Sequence, residues 1–508
     1  MTEHSPDKFD VLVIGGGITG CGVARDAAMR GLKVCLVERD DFASGTSGRS
    51  SRLIHGGIRY LEHGQLHLVY ESIRERQTLL RIAPHLVKPL AFTWPIYRGA
   101  RVGKLKLRAG LFFYELMAGG RSPKHSTLNA AQILKREPRL KSDGLTGGAV
   151  YYDACTDDAR LTIANAVAAR QLDATVMSHT RVTEIIRQGD KAVGVLAGSE
   201  HAGEKREIRA RVIVNATGVW GLGVGVGVGV ANIFNSDERL RRTRGSKGAH
   251  VGVPRDRVGN RDAVTLISNV DGRVMFCLPA GPQVIIGTTD TWTKESPESV
   301  HASAAEVDYL LRSANAYFPE ARLTPDDVIS AWAGIRPLAS AGSSNPSAVS
   351  REHSIVRDRS GVINVTGGKL TTYRSMAAEI VDLVQDALGQ PRKLAATDSV
   401  ELPGAERPQK IARLRGDDSS LSTPLVNGLP YTGADLVYGV QNELAQTLSD
   451  LLIRRVHLAF ETRDHGKSVA PRAADIVAPL LGWDDQTKRA RVREFEEDIG
   501  RMFAIGNQ

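Results

Sequence analysis

A short unbroken run of apolar residues lies near the start of the chain, at residues 11–14, and ends at a row of glycines. Continuous apolar residues are typical of a strand in a parallel sheet that is covered on both faces. A helical stretch follows and ends at Gly31, and residues 33–37 form a second strand-like run closed by Glu38. This order of strand, helix and strand is typical of a dinucleotide-binding βαβ unit.

The glycines between the first strand and the helix have the GxGxxG spacing, at Gly15, Gly17 and Gly20. Gly15 permits a tight turn, Gly17 lets the backbone approach a pyrophosphate, and Gly20 lets helix and strand pack closely. The free N–H groups at the helix N-terminus favour phosphates, and Glu38 can accept a hydrogen bond from a ribose hydroxyl. The motif predicts a bound dinucleotide. Its N-terminal position favours FAD, although the motif alone does not exclude NAD.

Two later apolar runs, residues 211–214 and 361–365, also end in small residues. After the second run a helix is predicted from Leu370 to about Leu388, with its N-terminus towards the cofactor ring. Three such junctions in one chain indicate a nucleotide domain that is assembled from separated segments.

A different pattern occupies the middle of the chain. Residues 273–279 and 283–289 are strand-like runs joined by a Gly-Pro turn. They predict paired strands that belong to a separate sheet domain.

Composition bounds the class of protein. The chain has 508 residues, of which 42% are apolar, so two or three globular domains are expected. The four cysteines include no CxxC pair, which favours a reducing cytosol over a disulfide framework. Neither a secretory signal nor a bilayer-spanning helix is expected. The net charge of +9 favours an anionic substrate or lipid over nucleic acid, because no zinc-finger spacing and no recognisable nucleic-acid motif accompanies it.

Eight stretches of the chain resemble, in order, the family of FAD-dependent glycerol-3-phosphate dehydrogenases. The most specific are HGGIRYLEHG, within residues 50–64, and GGKLTTYR at 367–374. The others are VIGGGITG at 13–20, DDARL at 157–161, VNATG at 214–218, GSKGAHVGVP at 245–254, IIGTTDT at 285–291 and AGIRPL at 333–338.

The resemblance implies an α/β fold. It comprises an FAD-binding doubly wound (Rossmann-like) domain, an antiparallel-sheet substrate domain and an α-helical C-terminal cap. In this chain we expect a discontinuous FAD-binding domain at residues 1–90, 150–230 and 355–390. The substrate domain is then expected at 91–149 and 231–354, and the cap at 391–508.

Site residues follow from the same resemblance. The adenosine-diphosphate site is expected at Gly15, Gly17, Gly20 and Glu38. The further flavin contacts are expected at Thr46, Ser47, Ala216, Gly218, Gly368 and Leu370. The polar set around the substrate is expected at Arg59, His250, Arg336 and Lys369, with Tyr60, Arg351 and Thr372 as weaker candidates.

The reaction that the resemblance implies is the oxidation of sn-glycerol 3-phosphate to dihydroxyacetone phosphate, with hydride transfer from carbon 2 to FAD N5. Arginine and lysine suit the phosphate dianion. The carbon 2 hydroxyl also loses a proton, and histidine is a suitable acceptor. His55 and His250 both qualify as this base. We favour His250, although the sequence leaves the choice open.

Electron transfer to a membrane quinone is a further expectation from the resemblance. The family's iron–sulfur-linked relatives carry a Cys-rich C-terminal extension, whereas no cysteine follows Cys277 here. The oxygen-using branch carries a mid-chain insertion for which this chain shows no obvious room. Residues 101–119 predict a helix with apolar residues on one face and cations at one end, suited to an anionic membrane surface. We therefore expect a cytoplasmic protein attached peripherally to the inner face of the cell membrane. A homodimer is left open.

Two departures from the family pattern concern residues near 220. Val219 stands where many members have proline, and residues 221–230 read GLGVGVGVGV where a helix is expected. Five glycines inside a helix would each cost about 0.5–1 kcal/mol, so the run favours a strand or loop. Other functions remain open: a soluble FAD-dependent oxidase of amino or 2-hydroxy acids, a glycerol-3-phosphate oxidase using oxygen, and a catalytically silent FAD-binding protein.

Overall fold

A computed structural model describes residues 8–120, 123–199, 205–222, 244–338 and 352–506. Within these residues, eight strands form a first sheet around the N-terminal strand Lys8–Ile14. Its main path runs His353–Arg357, Ile363–Gly367, Lys205–Asn215, Lys8–Ile14, Val34–Val37 and Thr175–Met177, and the strands Arg181–Gln188 and Lys191–Gly198 extend it beside Lys205–Asn215.

The centre of the first sheet is parallel and buried on both faces. Val11 pairs with Val34 on one side and with Val212 on the other, and both neighbouring strands run parallel to it. Helix Ile18–Met29 packs against helices Asp158–Gln171 and Tyr373–Leu388 to cover one face. This arrangement explains the unbroken apolar run and confirms the predicted doubly wound nucleotide-binding fold.

A second sheet has ten strands among the described residues. Its main path runs Thr291–Thr293, Arg244–Pro254, Gln283–Gly287, Val274–Ala280, Ala263–Ile267, Val87–Tyr97, Leu145–Thr156 and Leu53–Ile54; Ser330–Leu338 pairs with Arg244–Pro254, and Ser126–Asn129 with Leu145–Thr156. The predicted hairpin is present, with Cys277 paired to Ile286. The sheet is antiparallel except where Ala263–Ile267 runs parallel to Val87–Tyr97.

Strands of the second sheet cross the expected domain boundaries. Leu53–Ile54 pairs with Leu145–Thr156, although residues 1–90 were assigned to the FAD-binding domain. The strands Val87–Tyr97 and Leu145–Thr156 are 11 and 12 residues long and run through positions 90 and 150 without a break. The chain therefore passes between the FAD-binding part and the second sheet within continuous strands rather than in linkers.

The C-terminal cap consists of helices packed on the second sheet. Its α-helices are Arg407–Asp417, Gly433–Asn442, Leu458–Glu461, Ala470–Leu481 and Asp485–Phe503, with a π-helical turn at Asp450–Arg455. One apolar cluster contains Phe92 and Trp332 of the sheet together with Phe460 and Phe495 of the cap. The remaining α-helices are Leu66–Ile82, Lys104–Met117, Ala130–Arg136, Arg255–Val258 and Ala304–Asn315, and a short strand pair joins Ala302–Ser303 to Ile505–Gly506.

Buried ion pairs also fasten the cap to the first sheet. The Arg455 guanidinium donates to both carboxylate oxygens of Asp41, and both side chains are fully buried. His179 Nε2 lies 3.0 Å from Asp450 Oδ2. Burial alone would lower the pKa of His179, but the Asp450 carboxylate raises that pKa to about 9. Removing one partner of such a pair strongly destabilises the fold, because the other charge stays buried without compensation.

We expect the His179→Gln variant to be destabilised in a pH-dependent way. Because the folded pKa of His179 is raised above 6.5, the stabilisation is fully present below about pH 6.5 and is lost as pH rises through about 9. At low pH the free energy of unfolding of the variant is expected to be lower than that of wild type by on the order of 3 kcal/mol. This difference narrows towards alkaline pH. Thermal melting of wild type and variant across pH measures this gap.

His353→Gln is the matched control, because His353 pairs with Glu379 at a similar distance, 2.8 Å, but with a 57% exposed carboxylate. An exposed pair contributes little, so this variant is expected to melt close to wild type. A His179→Gln deficit that stayed constant across pH would contradict a charged His179.

Candidate active site

A cavity of about 320 Å³ lies between the two sheets. Its first wall is formed where strands of the first sheet end, at Ile14, Val37 and Val365. Its second wall carries His250 and Arg336 from the second sheet. Ligands of open α/β sheets bind outside the carboxyl ends of the strands, and this cavity lies in that position.

The glycine motif shapes one end of the cavity. Gly15 has φ +107°, and a Cβ there would lie 2.6 Å from the Ala216 carbonyl oxygen. A Cβ on Gly20 would lie 1.9 Å from the Gly15 oxygen, so Gly20 permits helix–strand packing and does not line the cavity. Gly17 precedes helix Ile18–Met29 and provides no side-chain cap. The helix N-terminus thus faces the cavity without a side-chain cap from Gly17, and its partial positive charge suits phosphate oxygens.

Glu38 lies at the end of the second strand and lines the cavity. Its two carboxylate oxygens accept hydrogen bonds from the backbone N–H groups of Gly16, at 2.5 Å, and Asp40, at 2.8 Å. Burial raises the pKa of Glu38 to about 7, and the charge of Asp40 adds to this effect. Each carboxylate oxygen keeps a second lone pair, which can accept from a sugar hydroxyl.

Loop residues 44–51 cross from the first sheet to the second. Ser47 Oγ accepts from the Ile18 backbone N–H at 3.0 Å, and Thr46 Oγ1 donates to the Ile335 carbonyl at 2.6 Å. Ala216, Gly218, Gly368 and Leu370 line the same cavity from the other junctions. The structure therefore brings together every predicted cofactor contact except Gly20, which lies one layer behind.

His250 projects from strand Arg244–Pro254 and is 2% exposed. Its ring stacks on Trp332 at 5.3 Å, and its Nε2 lies 2.8 Å from Ser51 Oγ. Its Nδ1 is buried without a hydrogen-bond partner among the described residues. Burial, followed by the charges of Arg336 and Arg52, lowers the pKa of His250 to about 3. The imidazole is thus neutral at physiological pH and can accept a proton.

Arg336 reaches the cavity from strand Ser330–Leu338. Its guanidinium donates to Thr288 Oγ1 at 2.9 Å and lies 3.3 Å from the buried Asp290 carboxylate. A Cβ on Gly248 would lie 2.1 Å from Arg336 Nη2, so only glycine lets the guanidinium cross the neighbouring strand. Arg336 is held in one geometry, as bidentate recognition of an oxyanion requires.

The third wall comes from the HGGIRYLEHG and GGKLTTYR segments. Lys369 Nζ lies 4.0 Å from the Tyr60 ring centroid and 3.3 Å from Ser72 Oγ. His55 is half-buried in the cavity wall, and its backbone pairs with Thr371 Oγ1. The 3₁₀ turn Ile58–His63 contains Arg59.

Three predicted residues are not placed at the cavity surface by these observations. The side chain of Arg59 and all of Arg351 lie outside the described residues, as do residues 223–230 of the Gly-Val run. Thr372 is described and 2% exposed, but it lies behind the lining.

Several cavity residues were missed by the sequence interpretation. Ser51 contacts His250, and Arg49 lines the cavity with a buried Nε that has no hydrogen-bond partner among the described residues. Arg39 lies 5.2 Å from the Trp220 ring at the opposite end. Ser51 and Arg49 belong to the same loop as the expected flavin contacts Thr46 and Ser47, but spacing alone does not show which loop side chains turn inwards.

These features fit FAD. The cavity offers a helix N-terminus without a side-chain cap, a glycine turn that excludes a Cβ, and a carboxylate 18 residues beyond Gly20 in the position expected for a ribose contact. His250, whose buried Nδ1 has no hydrogen-bond partner among the described residues, lines the same cavity. His250, Arg336 and Lys369 line the same cavity as these cofactor features.

Comparison with known proteins gives two family matches. A model described as FAD dependent oxidoreductase matches residues 10–383, and one described as C-terminal domain of alpha-glycerophosphate oxidase matches residues 405–488. Glycerol-3-phosphate dehydrogenase 2 of Mycobacterium tuberculosis is 37% identical, with coverage of 94% of this chain and 86% of that protein. Aerobic glycerol-3-phosphate dehydrogenase of Bacillus subtilis is 38% identical, with coverage of 96% and 94%.

Solved structures give a similar result. The chain is similar to the glycerol-3-phosphate dehydrogenase from Bacillus halodurans complexed with FAD, with TM-score 0.76, 30% identity and coverage of 99% of this chain and 96% of that one. L-alpha-glycerophosphate oxidase from Mycoplasma pneumoniae, with FAD bound, shares the fold at TM-score 0.59 and 18% identity, with coverage of 78% and 97%.

Proposed function

Because the chain belongs to the family of FAD-dependent glycerol-3-phosphate dehydrogenases, we propose that it oxidises sn-glycerol 3-phosphate to dihydroxyacetone phosphate. Its cofactor is FAD. The observation that carries the proposal is that neutral His250 and the cations Arg336 and Lys369 line one cavity. A base and two cations suit a substrate that carries both an alcohol and a phosphate.

Arg336 and Lys369 are proposed to hold the phosphate, with Arg59 as a third cation. An arginine fork matches two phosphate oxygens, whereas lysine contributes a point charge. Arg336 is preorganised by Thr288 and Asp290, so little side-chain freedom is lost on binding. These contacts orient carbon 2 of the substrate towards the cofactor.

His250 is proposed as the base that takes the carbon 2 hydroxyl proton. Its neutral imidazole has an unpartnered Nδ1, and its Nε2 faces Ser51. A bound phosphate dianion would offset the charge of Arg336 and raise the pKa of His250, which strengthens it as a base. His55 is the second candidate. Bound FAD supplies a hydride acceptor, its N5, for the hydrogen on carbon 2.

The cofactor is proposed to lie along the cavity in the expected order. Gly15, Gly17 and the N-terminus of helix Ile18–Met29 hold the pyrophosphate, Gly20 supports that turn, and Glu38 accepts from the ribose. The remaining flavin contacts are proposed at Thr46, Ser47, Ala216, Gly218, Gly368 and Leu370, which surround the rest of the cavity.

Anaerobic bleaching of the flavin absorbance tests the substrate. We expect rapid bleaching by glycerol 3-phosphate and none by glycerol, lactate or an amino-acid panel, because only the first carries a phosphate dianion. Bleaching by a 2-hydroxy acid or an amino acid would favour the alternative oxidase reaction. A yellow protein that no substrate bleaches, but that dithionite reduces, would indicate a catalytically silent flavoprotein.

A membrane quinone is proposed as the electron acceptor, in preference to oxygen. The support is indirect: relatives at 37% and 38% identity are named dehydrogenases, whereas the glycerophosphate oxidase match is 18% identical. Reoxidation of the reduced protein by a soluble ubiquinone or menaquinone analogue, compared with air, tests this choice. Faster reoxidation by oxygen than by either quinone would contradict it.

Helix Lys104–Met117 supports peripheral attachment to an anionic membrane at the inner face of the cell membrane. Leu105 is 82% exposed, Phe112 58%, Phe113 55% and Leu116 67%. Lys104, Lys106 and Arg108 are exposed on the same helix. Apolar side chains bordered by cations match the interface of a bilayer with anionic lipid. Among the described residues, no helix is long and apolar enough to cross a membrane.

We expect Phe112→Ser to weaken binding to vesicles of anionic phospholipid about tenfold, because one exposed aromatic ring no longer enters the lipid. Co-sedimentation with vesicles of increasing anionic content measures this. Leu394→Ser is the matched control, since Leu394 is 96% exposed outside this helix. Equal loss in both variants, or no loss in either, would contradict attachment through helix Lys104–Met117.

A further inference from the structure

The segment from His457 to Phe460 joins the C-terminal cap to residues beside the candidate active site. His457 Nε2 lies 2.7 Å from Asp157 Oδ2, and its Nδ1 lies 3.3 Å from Arg52 Nη2. The arginine can only donate, so Nδ1 accepts and Nε2–H donates to Asp157. His457 therefore links three segments of the chain with one defined tautomer.

Arg52 is held on its other side by an aromatic ring. Its guanidinium carbon lies 4.8 Å from the Phe460 ring centroid. Arg52 has φ +56°, a left-handed conformation that is uncommon for a residue with a side chain. Thr156 N–H donates to the Arg52 carbonyl at 2.9 Å, and Arg52 N–H donates to Ser50 Oγ at 3.0 Å. Strained conformations of this kind persist where surrounding contacts fix them, and they cluster at functional sites.

The residue before Arg52 contacts the proposed base. Ser51 Oγ lies 2.8 Å from His250 Nε2. Ser50, on the other side of Ser51, is bound through its backbone N–H and hydroxyl to Asp158, at 2.9 and 2.6 Å. Ser51 is thus presented to His250 by a segment anchored at both neighbours, and one of the two anchors is in the cap.

A second route leads from the same cap segment to His250. Phe460 packs edge-on against Trp332 at 5.1 Å, and the His250 ring is stacked on Trp332 at 5.3 Å, with an interplanar angle of 11°. Ser330 Oγ donates to the Phe460 carbonyl at 2.8 Å, which fixes Phe460 relative to the strand that carries Trp332. Phe460 therefore contacts both Arg52, which leads to His250 through Ser51, and Trp332, on which His250 is stacked.

We propose that the His457–Phe460 segment of the cap positions His250 for proton acceptance, through Arg52 and Ser51 on one side and Trp332 on the other. The inference rests on the proposed function, because it assigns a role in that reaction. Arg52 and the cap residues are positioning residues, since they act through Ser51 and Trp332. The cap is then part of the catalytic arrangement as well as a packing unit.

The charged groups around His250 support the same positioning role. Arg52 and Arg336 face His250, and the positive charge of each helps to keep its imidazole neutral. Asp157, Asp158 and Glu461 face Arg52 and compensate its charge. Removal of the Arg52 charge would raise the pKa of His250, so that the imidazole protonates, and proton acceptance fails, at higher pH than in wild type.

The test is single-turnover reduction of the FAD-bound protein by glycerol 3-phosphate, across pH, for Arg52→Met, Arg52→Lys and Phe460→Leu. We expect Arg52→Met and Phe460→Leu to lower the limiting reduction rate about 10- to 100-fold with little change in the half-saturating substrate concentration. The acid limb of the rate should move to higher pH in Arg52→Met. Arg52→Lys keeps the charge, so it should restore the wild-type pH profile.

Arg463→Met is the matched control. Arg463 joins the same cap to the carbonyls of Asp326 and Val328 but does not reach the cavity, so wild-type rates are expected. If Arg52→Met and Phe460→Leu retain FAD and reduce at the wild-type rate and pH dependence, the positioning role is wrong and the proposed function stands. If Arg463→Met is equally slow, general loosening of the cap explains the effect and overturns the inference. Wild type that glycerol 3-phosphate does not bleach would reject the proposed function itself.

Discussion

Replacing Arg336 with methionine is expected to lower kcat/KM for glycerol 3-phosphate about 10²- to 10³-fold while FAD stays bound. Loss of one partner of a hydrogen-bonded charge pair in a desolvated site costs about 2–5 kcal/mol, and each 1.4 kcal/mol is a factor of about ten. Arg336 is the proposed phosphate fork and lies apart from the glycine turn that shapes the proposed pyrophosphate site. Steady-state assays with an artificial electron acceptor measure the loss.

The same substitution carries a second signature. Because the charge of Arg336 helps to lower the pKa of His250, its removal raises that pKa, and the acid limb of the rate moves to higher pH. Arg336→Lys keeps the charge and loses the fork. It should therefore retain the wild-type pH profile while recovering only part of kcat/KM.

Arg312→Met is the control for this prediction. It removes the same charge from an exposed pair with Asp308, at 3.0 Å, where ion pairs contribute little. Flavin content and melting temperature must be compared as well, because Arg336→Met leaves the buried Asp290 with one charge partner fewer. An Arg336→Met protein with wild-type kcat/KM would place the phosphate elsewhere.

The fold was largely readable from the sequence because its signals are local. The run at residues 11–14, the glycines after it and Glu38 form one βαβ unit, and each is within 30 residues of the next. The hairpin at residues 274–287 is equally local. Hydrophobic period and turn chemistry determine such units before distant contacts form.

The parallel pair in the second sheet was not anticipated. Strand Ala263–Ile267 joins Val87–Tyr97, more than 160 positions away, and local pattern gives no information on which distant strand becomes a neighbour. The strands that cross positions 90 and 150 show the same limit, since sheet membership is decided by pairing and not by sequence proximity.

Only those site residues that lie within the sequence motifs could be predicted. His250, Arg336 and Lys369 were expected, and they line one cavity. Two features that fix their geometry have no local signature. Gly248 is needed because a Cβ would collide with a guanidinium 88 positions away in the chain, and Ser51 meets His250 across 199 positions. The roles of Gly248 and Ser51 can be recognised only once the pairing of the strands is known.

Gly20→Ala is expected to abolish FAD binding. The new Cβ would lie 1.9 Å from the Gly15 carbonyl oxygen, a backbone atom in the turn that must face the pyrophosphate. Backbone cannot move aside as a flexible side chain can, so helix Ile18–Met29 must shift away from the first strand and the donor geometry at its N-terminus is lost. We expect a protein purified without yellow colour, with a lowered melting temperature that added FAD does not restore.

Gly500→Ala is the matched control, because Gly500 is also inside a helix, Asp485–Phe503, and a Cβ there meets nothing within 4 Å. Alanine in an open helix position favours the helix by up to about 1 kcal/mol, so this variant should bind FAD and melt at or above the wild-type temperature. Gly17→Ala separates folding from binding: its Cβ would lie 3.3 Å from Ser47 Oγ alone, so the fold should survive while FAD binds more weakly. If Gly20→Ala retained stoichiometric FAD, the pyrophosphate could not depend on this turn, and the cofactor orientation proposed along the cavity would have to be abandoned.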